Sequence, residues 1–132
     1  MARTPQELTT AELEILRVLW SRGPSTVRQV LDALNKTKDM GYTGVLKLLQ
    51  IMTVKGTVRR DETERAHVYE ARRPAEQTKR QLATDMLQRV FKGSTSQLML
   101  HALSGRLSTR AEIDELRRIL DQCESAEDEQ PQ

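Results

Sequence analysis

A chain of 132 residues is long enough for one domain, or for one domain with a small appendage. Apolar residues make up 37% of it, charged residues 30% and aromatic residues only 3%, which favours a small helical core, and no apolar run is long enough to span a membrane. Residues 1–73 carry 13 basic and 9 acidic side chains, a net +4, whereas residues 74–132 carry 8 and 10, a net −2. The positive first part is modest evidence for a nucleic-acid partner there.

Several classes of protein are disfavoured by what the sequence lacks. The single cysteine, Cys123, excludes an intramolecular disulfide and suits the reducing cytoplasm, and the N-terminus has no signal-peptide core. No phosphate-binding glycine loop, nucleophile with a base or cluster of acids occurs, and neither His67 nor His101 has a ligand or catalytic pattern around it. We therefore expect a cytoplasmic protein that is not an enzyme and needs no cofactor or metal.

Two predicted helices open the chain, and each begins at a capping-box sequence. Thr9 pairs with Glu12 in the first, which runs to about Arg22, and Thr26 pairs with Gln29 in the second, which runs to about Leu34. Free amides at the start of the second helix are also a candidate phosphate site. Apolar spacing predicts the following inward residues: Leu13, Leu16, Leu19, Trp20, Val27, Val30, Leu31 and Leu34. We expect the only tryptophan to be a core anchor rather than a binding aromatic.

The stretch from Gly41 to Gly56 predicts a third helix with two different faces. The apolar stripe consists of Val45, Leu48, Leu49 and Met52. The opposite face consists of Thr43, Lys47, Gln50 and Val54. Threonine, lysine and glutamine side chains reach base edges and phosphates in a major groove. We interpret residues 42–55 as a recognition helix that ends at a glycine cap.

Residues 57–70 predict two short strands around a polar turn. Val58, Val68 and Ala66 are the inward candidates, and Arg59, Arg60, Arg65 and His67 the outward ones. This order of elements, two helices followed by an amphipathic helix and a hairpin, is typical of a winged helix-turn-helix. We interpret the hairpin, which carries three arginines, as a basic wing that lies along the sugar-phosphate backbone. The alternatives are a hairpin that is merely solvated and a winged-helix adaptor that binds protein instead of DNA.

Pro74 marks the predicted boundary between a DNA-binding domain, residues 1–73, and a helical dimerisation region, residues 74–123. Three helices are expected there, starting near Pro74, Ser94 and Thr109, with apolar faces too broad to be buried within so short a segment. The expected interface residues are Leu82, Met86, Val90, Phe91, Leu98, Leu100, Leu103, Ile113, Leu116 and Leu120. A symmetric homodimer would pair two reading heads with a two-fold operator. Residues 124–132 are expected to be a disordered acidic tail.

Five short motifs resemble the penicillinase-repressor family of the BlaI/MecI type, to which copper-responsive CopY-type repressors are related, and the resemblance covers roughly residues 6 to 121. The motifs are Tyr42-Thr43-x-Val45, Lys55-Gly56, Arg65-Ala66-x-x-Tyr69, Phe91-Lys92-Gly93-Ser94 and Glu115-Leu116-Arg117, where x marks a position that carries no part of the resemblance. The resemblance implies a dimeric winged-helix repressor that binds double-stranded operator DNA. The DNA-binding candidates are Thr43, Gly44, Lys47, Gln50, Arg59, Arg60 and Arg65.

The sequence also departs from the family pattern. Gly44 replaces a second threonine and Ile51 replaces an arginine, so the family's operator sequence is not carried over. Members controlled by a membrane sensor protease are cut at an Asn-Phe bond, and the matching bond here is His101–Ala102, in a segment that reads as a buried helix. The cysteine-rich metal site of the copper-responsive branch is missing. A sensor protease cutting at another bond, or an unidentified inducer, therefore remains open as the partner that lifts repression.

Overall fold

The computed structural model describes residues 8–36, 39–104 and 108–129. Six helices and three short strands follow one another in these ranges, in the order α1, β1, α2, α3, β2, β3, α4, α5, α6. The chain divides into two compact units, Met1–Met86 and Leu87–Gln132. Helix α4, Ala75–Arg89, therefore belongs mostly to the first unit, and each unit is described below by itself.

Helix α1, Thr10–Arg22, starts at the predicted capping box and ends at Gly23. Its most buried residues are Glu12, Ile15, Leu16 and Leu19, whereas Leu13 and Trp20 are only half-buried. The observed buried face of α1 is thus rotated slightly about the helix axis from the predicted one. Ile15 lies at the centre of the buried arc, and Glu12 is buried because it has a distant cationic partner.

Helix α2, Val27–Leu34, has the predicted bounds, capping box and buried stripe. Thr26 and Gln29 form both hydrogen bonds of the capping box, and all four apolar residues of the predicted stripe are buried. Just before it, Ser25–Thr26 forms a short strand, β1, which the sequence analysis did not predict. Two residues are too few to show the alternation from which a strand is recognised.

Helix α3, Tyr42–Lys55, has the predicted bounds. Val45, Leu49 and Met52 are fully buried and Leu48 is half-buried. The helix ends at Gly56, whose positive φ of 88° is a left-handed conformation that glycine adopts without strain.

The hairpin consists of β2, Val58–Asp61, and β3, Val68–Ala71, and β3 also pairs with β1 in an antiparallel sheet of order β1-β3-β2. The prediction of its inner face was partly wrong. Val58 is buried, but the buried residue of β3 is Tyr69, while Val68 is half-buried and Ala66 is exposed. The side chains of a strand alternate between its faces, so burial of Tyr69 turns its neighbour away from the core.

Helices α1, α2 and α3 and the hairpin enclose one core, and this is the predicted winged helix-turn-helix. Its buried hydrophobic residues are Ile15, Leu16, Leu19, Val27, Val30, Leu31, Leu34, Val45, Leu49, Met52, Val58 and Tyr69. The core fixes the orientation of α3 and leaves one of its faces outside.

The second unit contains α5, Thr95–Leu103, and α6, Arg110–Glu129, with Ser94 and Thr109 as the predicted caps. Helix α6 continues to Glu129, so the expectation of disorder from residue 124 was wrong as far as Glu129, and residues 130–132 lie outside the described residues. The segment 124–129 contains no glycine or proline, and its glutamate and alanine residues favour helix continuation. No helix in the described ranges is long and apolar enough to cross a membrane.

Candidate nucleic-acid interface

The outer face of α3 is a polar surface on a firmly held helix. Thr43, Lys47, Gln50 and Val54 are all exposed, and Val54 reaches 86% exposure. Because the opposite side of α3 is part of the core, these side chains keep a fixed position relative to the domain.

Gly44 lies on the exposed part of the first turn of α3, and a Cβ atom built there would meet nothing within 4 Å. Neither side-chain packing nor a positive φ therefore requires a glycine at position 44. Tyr42 and Ile51 are also partly exposed on this helix, at 45% and 37%. Gly44 and Ile51, the two positions that depart from the family pattern, both lie on the exposed surface of α3 and not in the core.

A cation–π contact joins the beginnings of α2 and α3. The Cζ atom of Arg28 lies 5.3 Å from the centroid of the Tyr42 ring, within the range in which such contacts are attractive. Sequence analysis missed Arg28 because it evaluated α2 for its capping box, its free amides and its apolar stripe, and not for exposed cationic side chains. Thirteen residues separate Arg28 from Tyr42, so no local sequence pattern indicates the contact.

An ion pair holds the other end of α3. Lys55 Nζ lies 3.0 Å from Glu12 Oε1 and 3.1 Å from Oε2, and the amide of Thr9 donates to the same Oε1 at 3.0 Å. The side chain of Glu12 is 2% exposed and that of Lys55 is 19% exposed. The pair therefore connects the start of α1 with the last turn of α3, across 43 residues of sequence.

The charge state of Glu12 follows from these contacts. Burial alone would raise the pKa of its carboxyl group, but the hydrogen bonds from Lys55 and from Thr9 outweigh burial and hold the pKa below its ordinary value of 4.5. Glu12 is consequently ionised at neutral pH and compensates the charge of Lys55.

The hairpin arginines are partly occupied by neighbouring carboxylates. Arg59 Nε lies 3.4 Å from Glu70 Oε1, directly across the strands, and Arg60 Nη2 lies 3.0 Å from Glu62 Oε1. Arg65 is exposed and makes no ion pair with another described residue. Of the three predicted wing arginines, two would therefore have to exchange a partner in order to bind a phosphate.

The tip of the hairpin also carries fixed negative charge. The hydroxyl group and the amide of Thr63 both donate to Asp61 Oδ1, the amide at 2.9 Å, and these bonds lower the pKa of Asp61. With three arginines and four carboxylates, residues 57–70 have a formal net charge of −1. The sequence analysis had described this hairpin as basic because it considered the arginines alone.

The residues predicted as dimer contacts are incompletely covered within each unit. In the first unit, Leu82 is half-buried and Met86 is 51% exposed. In the second, Val90, Leu100, Leu103 and Leu120 are exposed, and Phe91, Leu98, Ile113 and Leu116 are half-buried. Helix α5 has no buried residue, so the expectation that His101–Ala102 is buried was wrong for the single chain.

The described residues contain no group of three or more histidine, cysteine or acidic side chains placed to hold a metal ion. His67 is half-buried, and His101 stands beside Phe91 with 5.7 Å between ring centroids. Cys123 is exposed on α6.

Comparisons with known proteins agree with this architecture. The transcriptional regulator BlaI of Mycobacterium tuberculosis is 32% identical over 121 residues, covering 91% of this chain and 87% of the relative. The penicillinase repressor of Staphylococcus aureus is 22% identical over 120 residues, covering 91% and 95%. The methicillin resistance regulatory protein MecI of Staphylococcus aureus is 22% identical over 114 residues, covering 86% and 93%.

Solved structures show the same fold. The DNA-binding domain of the repressor BlaI, at 24% identity and a TM-score of 0.50, covers 57% of this chain and 90% of that domain. A mutant of MarR from E. coli, at 17% identity and a TM-score of 0.51, covers 90% of this chain and 79% of that one. The sequence model of the penicillinase repressor matches residues 8–122. The chain belongs to the penicillinase-repressor family.

Proposed function

We propose that this DNA-binding transcriptional repressor reads its operator through the exposed face of α3. The observation that carries the proposal is the division of α3 into a buried face and an uncovered polar face with Thr43, Lys47 and Gln50. An α-helix fits the major groove, where lysine contacts guanine and glutamine contacts adenine. Gly44 lets the backbone of the first turn approach the bases closely.

In this proposal the hairpin lies along the sugar-phosphate backbone. Arg65 supplies a cation without an ion-pair partner among the described residues, whereas Arg59 and Arg60 exchange Glu70 and Glu62 for phosphates. Exposed ion pairs contribute only about 0–1 kcal/mol, so this exchange is affordable, but it reduces the gain from each contact. The wing therefore adds general affinity more than it adds sequence discrimination.

The repressor acts as a homodimer in this proposal. Apolar residues of α5 and α6 are left uncovered within their own unit, Leu120 at 66% exposure and Leu100 at 56%. A second copy would cover them and would place two α3 helices on the two halves of a palindromic operator. Two linked heads bind far more tightly than one, because the second contact is intramolecular.

Derepression is proposed to follow a route other than cleavage at His101–Ala102. That bond lies inside helix α5 and neither side chain matches the Asn-Phe site of family members controlled by a membrane sensor protease. A helical peptide bond resists proteolysis until it opens locally. Mass spectrometry of the protein from induced cells would test this, since a fragment ending at His101 would contradict it, whereas cleavage elsewhere or an intact chain would agree.

Lys47→Ala and Gln50→Ala test the recognition helix. Each variant should lose about 1–3 kcal/mol of discrimination between the operator, recovered by selection from random duplexes, and a scrambled duplex. Lys79→Ala and Gln77→Ala are matched controls, since the same residue types are exposed on α4. If the α3 variants discriminate as well as the wild type, α3 is not the reading helix.

A further inference from the structure

We propose that Arg28, stacked on Tyr42, is a preorganised phosphate clamp that fixes the operator backbone at the N-terminal end of α3. The inference rests on the proposed function, because it assumes that the outer face of α3 meets the duplex. It assigns a strong backbone contact to helix α2, outside both the recognition helix and the wing.

The position of the pair supports this assignment. Arg28 is the second residue of α2, Val27–Leu34, and Tyr42 is the first residue of α3. Both side chains are exposed, and Tyr42 is followed directly by Thr43 and Gly44 of the proposed reading surface. In the proposed complex, Arg28 would therefore lie at the edge of the major groove that α3 enters, next to the sugar-phosphate backbone.

The state of the guanidinium group supports it as well. The contact with the Tyr42 ring restricts the rotamers of a long side chain, and the guanidinium group makes no side-chain hydrogen bond to another described residue. A donor that is already oriented loses less conformational entropy when it binds. Arginine in a fixed plane suits the bidentate geometry of a phosphate.

The contrast with two of the three hairpin arginines, Arg59 and Arg60, also supports the assignment. Arg59 and Arg60 each lie within 3.4 Å of a carboxylate oxygen, whereas Arg28 makes no ion pair with another described residue. A phosphate approaching Arg28 therefore gains the full contact, while a phosphate approaching either hairpin arginine must first displace a carboxylate. The clamp should accordingly contribute more to the salt dependence of binding than Arg59 or Arg60 does.

Arg28→Ala should weaken binding to the operator and to the scrambled duplex alike, and should lower the slope of log K against log salt concentration by about 0.9 for each Arg28 removed. Arg28→Lys should retain that slope, because the charge remains. Arg80→Ala is the matched control, because Arg80 is an exposed arginine on α4. Both side chains of the pair are exposed, and circular dichroism and thermal unfolding would confirm that the variants are folded.

Tyr42→Leu tests the stacking itself. It should weaken binding about 2- to 5-fold with the salt slope unchanged, because the charge stays while its orientation is lost. Added to Arg28→Ala, it should have no further effect. An unchanged salt slope in Arg28→Ala, or additive losses in the double variant, would overturn the clamp.

The experiments distinguish an error in the clamp assignment from an error in the recognition-helix assignment. If Lys47→Ala loses discrimination while Arg28→Ala binds like the wild type, only the clamp is wrong. If neither variant differs from the wild type on either duplex, the assignment of α3 to the groove is wrong and the clamp is overturned with it.

Discussion

The winged helix and the C-terminal helices use their apolar residues in different ways. In the first unit, twelve hydrophobic side chains form one core with at most 6% exposure each. In the second unit, no described side chain is buried, and exposed hydrophobic residues such as Leu100 and Leu120 recur along α5 and α6. The first unit therefore encloses a complete core as a single chain, whereas the apolar residues of the second unit stay largely accessible to solvent.

The difference follows from what each segment can enclose. Three helices and a sheet surround a common interior, so each apolar stripe of the first unit faces another. The described part of the second unit consists mainly of the two helices α5 and α6, which are too few to surround an interior of their own. If the second unit forms the proposed dimer interface, substitutions should affect either the stability of the first unit or the assembly of the dimer, and not both.

Assembly should give the largest effect. Leu100→Asp would place a charge without a partner in the proposed interface, and the protein should become monomeric. Operator affinity should fall by about 10²- to 10⁴-fold because each head then binds one half-site alone. Sedimentation velocity and operator titration would measure both effects.

Thr95→Asp is the control for this variant. It adds the same charge at the exposed first residue of α5, where a helix N-terminus favours an acid. If Leu100→Asp still forms a dimer like the wild type, Leu100 lies outside the interface. If both variants dissociate, the added charge alone explains the loss of the dimer.

A pair of equal truncations sharpens the comparison between the two units. Leu49→Ala removes a fully buried side chain from the inner face of α3 and should lower the free energy of unfolding by about 2–5 kcal/mol. Leu120→Ala removes the same atoms from a 66% exposed position and should cost less than about 0.5 kcal/mol in the monomer. Urea unfolding of the two variants in the Leu100→Asp background measures both. Equal losses would contradict the division into a complete and an incomplete unit.

The same contrast explains which features could be predicted from the sequence. The buried stripes of α2 and most of α3 were predicted correctly because helical spacing is local information. The capping boxes at Thr9 and Thr26 are equally local, since each connects residues three apart. The same helical spacing correctly predicted that Lys47 and Gln50 are exposed.

Features that depend on distant partners were not predictable. Burial of Glu12 depends on Lys55, 43 residues away, and a lone glutamate near a helix start is normally solvated. The contact between Arg28 and Tyr42 requires knowledge of how α2 and α3 pack. The inward position of Tyr69 depends on strand register, which four-residue strands encode weakly.

Glu12→Gln tests the ion pair that holds α3 in the complete unit. At neutral pH it should lower the free energy of unfolding by about 1.5–3 kcal/mol, because the partly buried Lys55 loses its ionised partner and one of its two hydrogen-bond acceptors. The pKa of Glu12 is lowered by folding, so its stabilisation is fully present above the unfolded value of 4.5 and is lost as the pH falls through the folded-state pKa. The difference from wild type should therefore shrink in acid.

Fluorescence of Trp20 is a suitable signal for this titration, because it is the only tryptophan and its Nε1 donates to the carbonyl oxygen of Arg73 at 2.9 Å. The control is Glu76→Gln, which removes an exposed carboxylate 3.6 Å from Lys79. A stability difference for Glu12→Gln that stays constant from neutral to acidic pH would show that the ionised carboxylate is not what stabilises α3.

The smallest expected effect concerns charge, and it extends the comparison to surfaces within the winged helix. Glu62→Gln removes the carboxylate that lies 3.0 Å from Arg60, on a hairpin whose formal net charge is −1. The freed arginine should tighten binding to operator and scrambled duplexes alike, by about 1.5- to 5-fold, and should steepen the salt dependence. Glu76→Gln again serves as the control, since it frees Lys79 on α4 without adding charge to the hairpin. Unchanged binding in both Glu62→Gln and Arg60→Ala would mean that the hairpin does not lie on the duplex, and that positive charge near α2 and α3 supplies the contact with the DNA backbone.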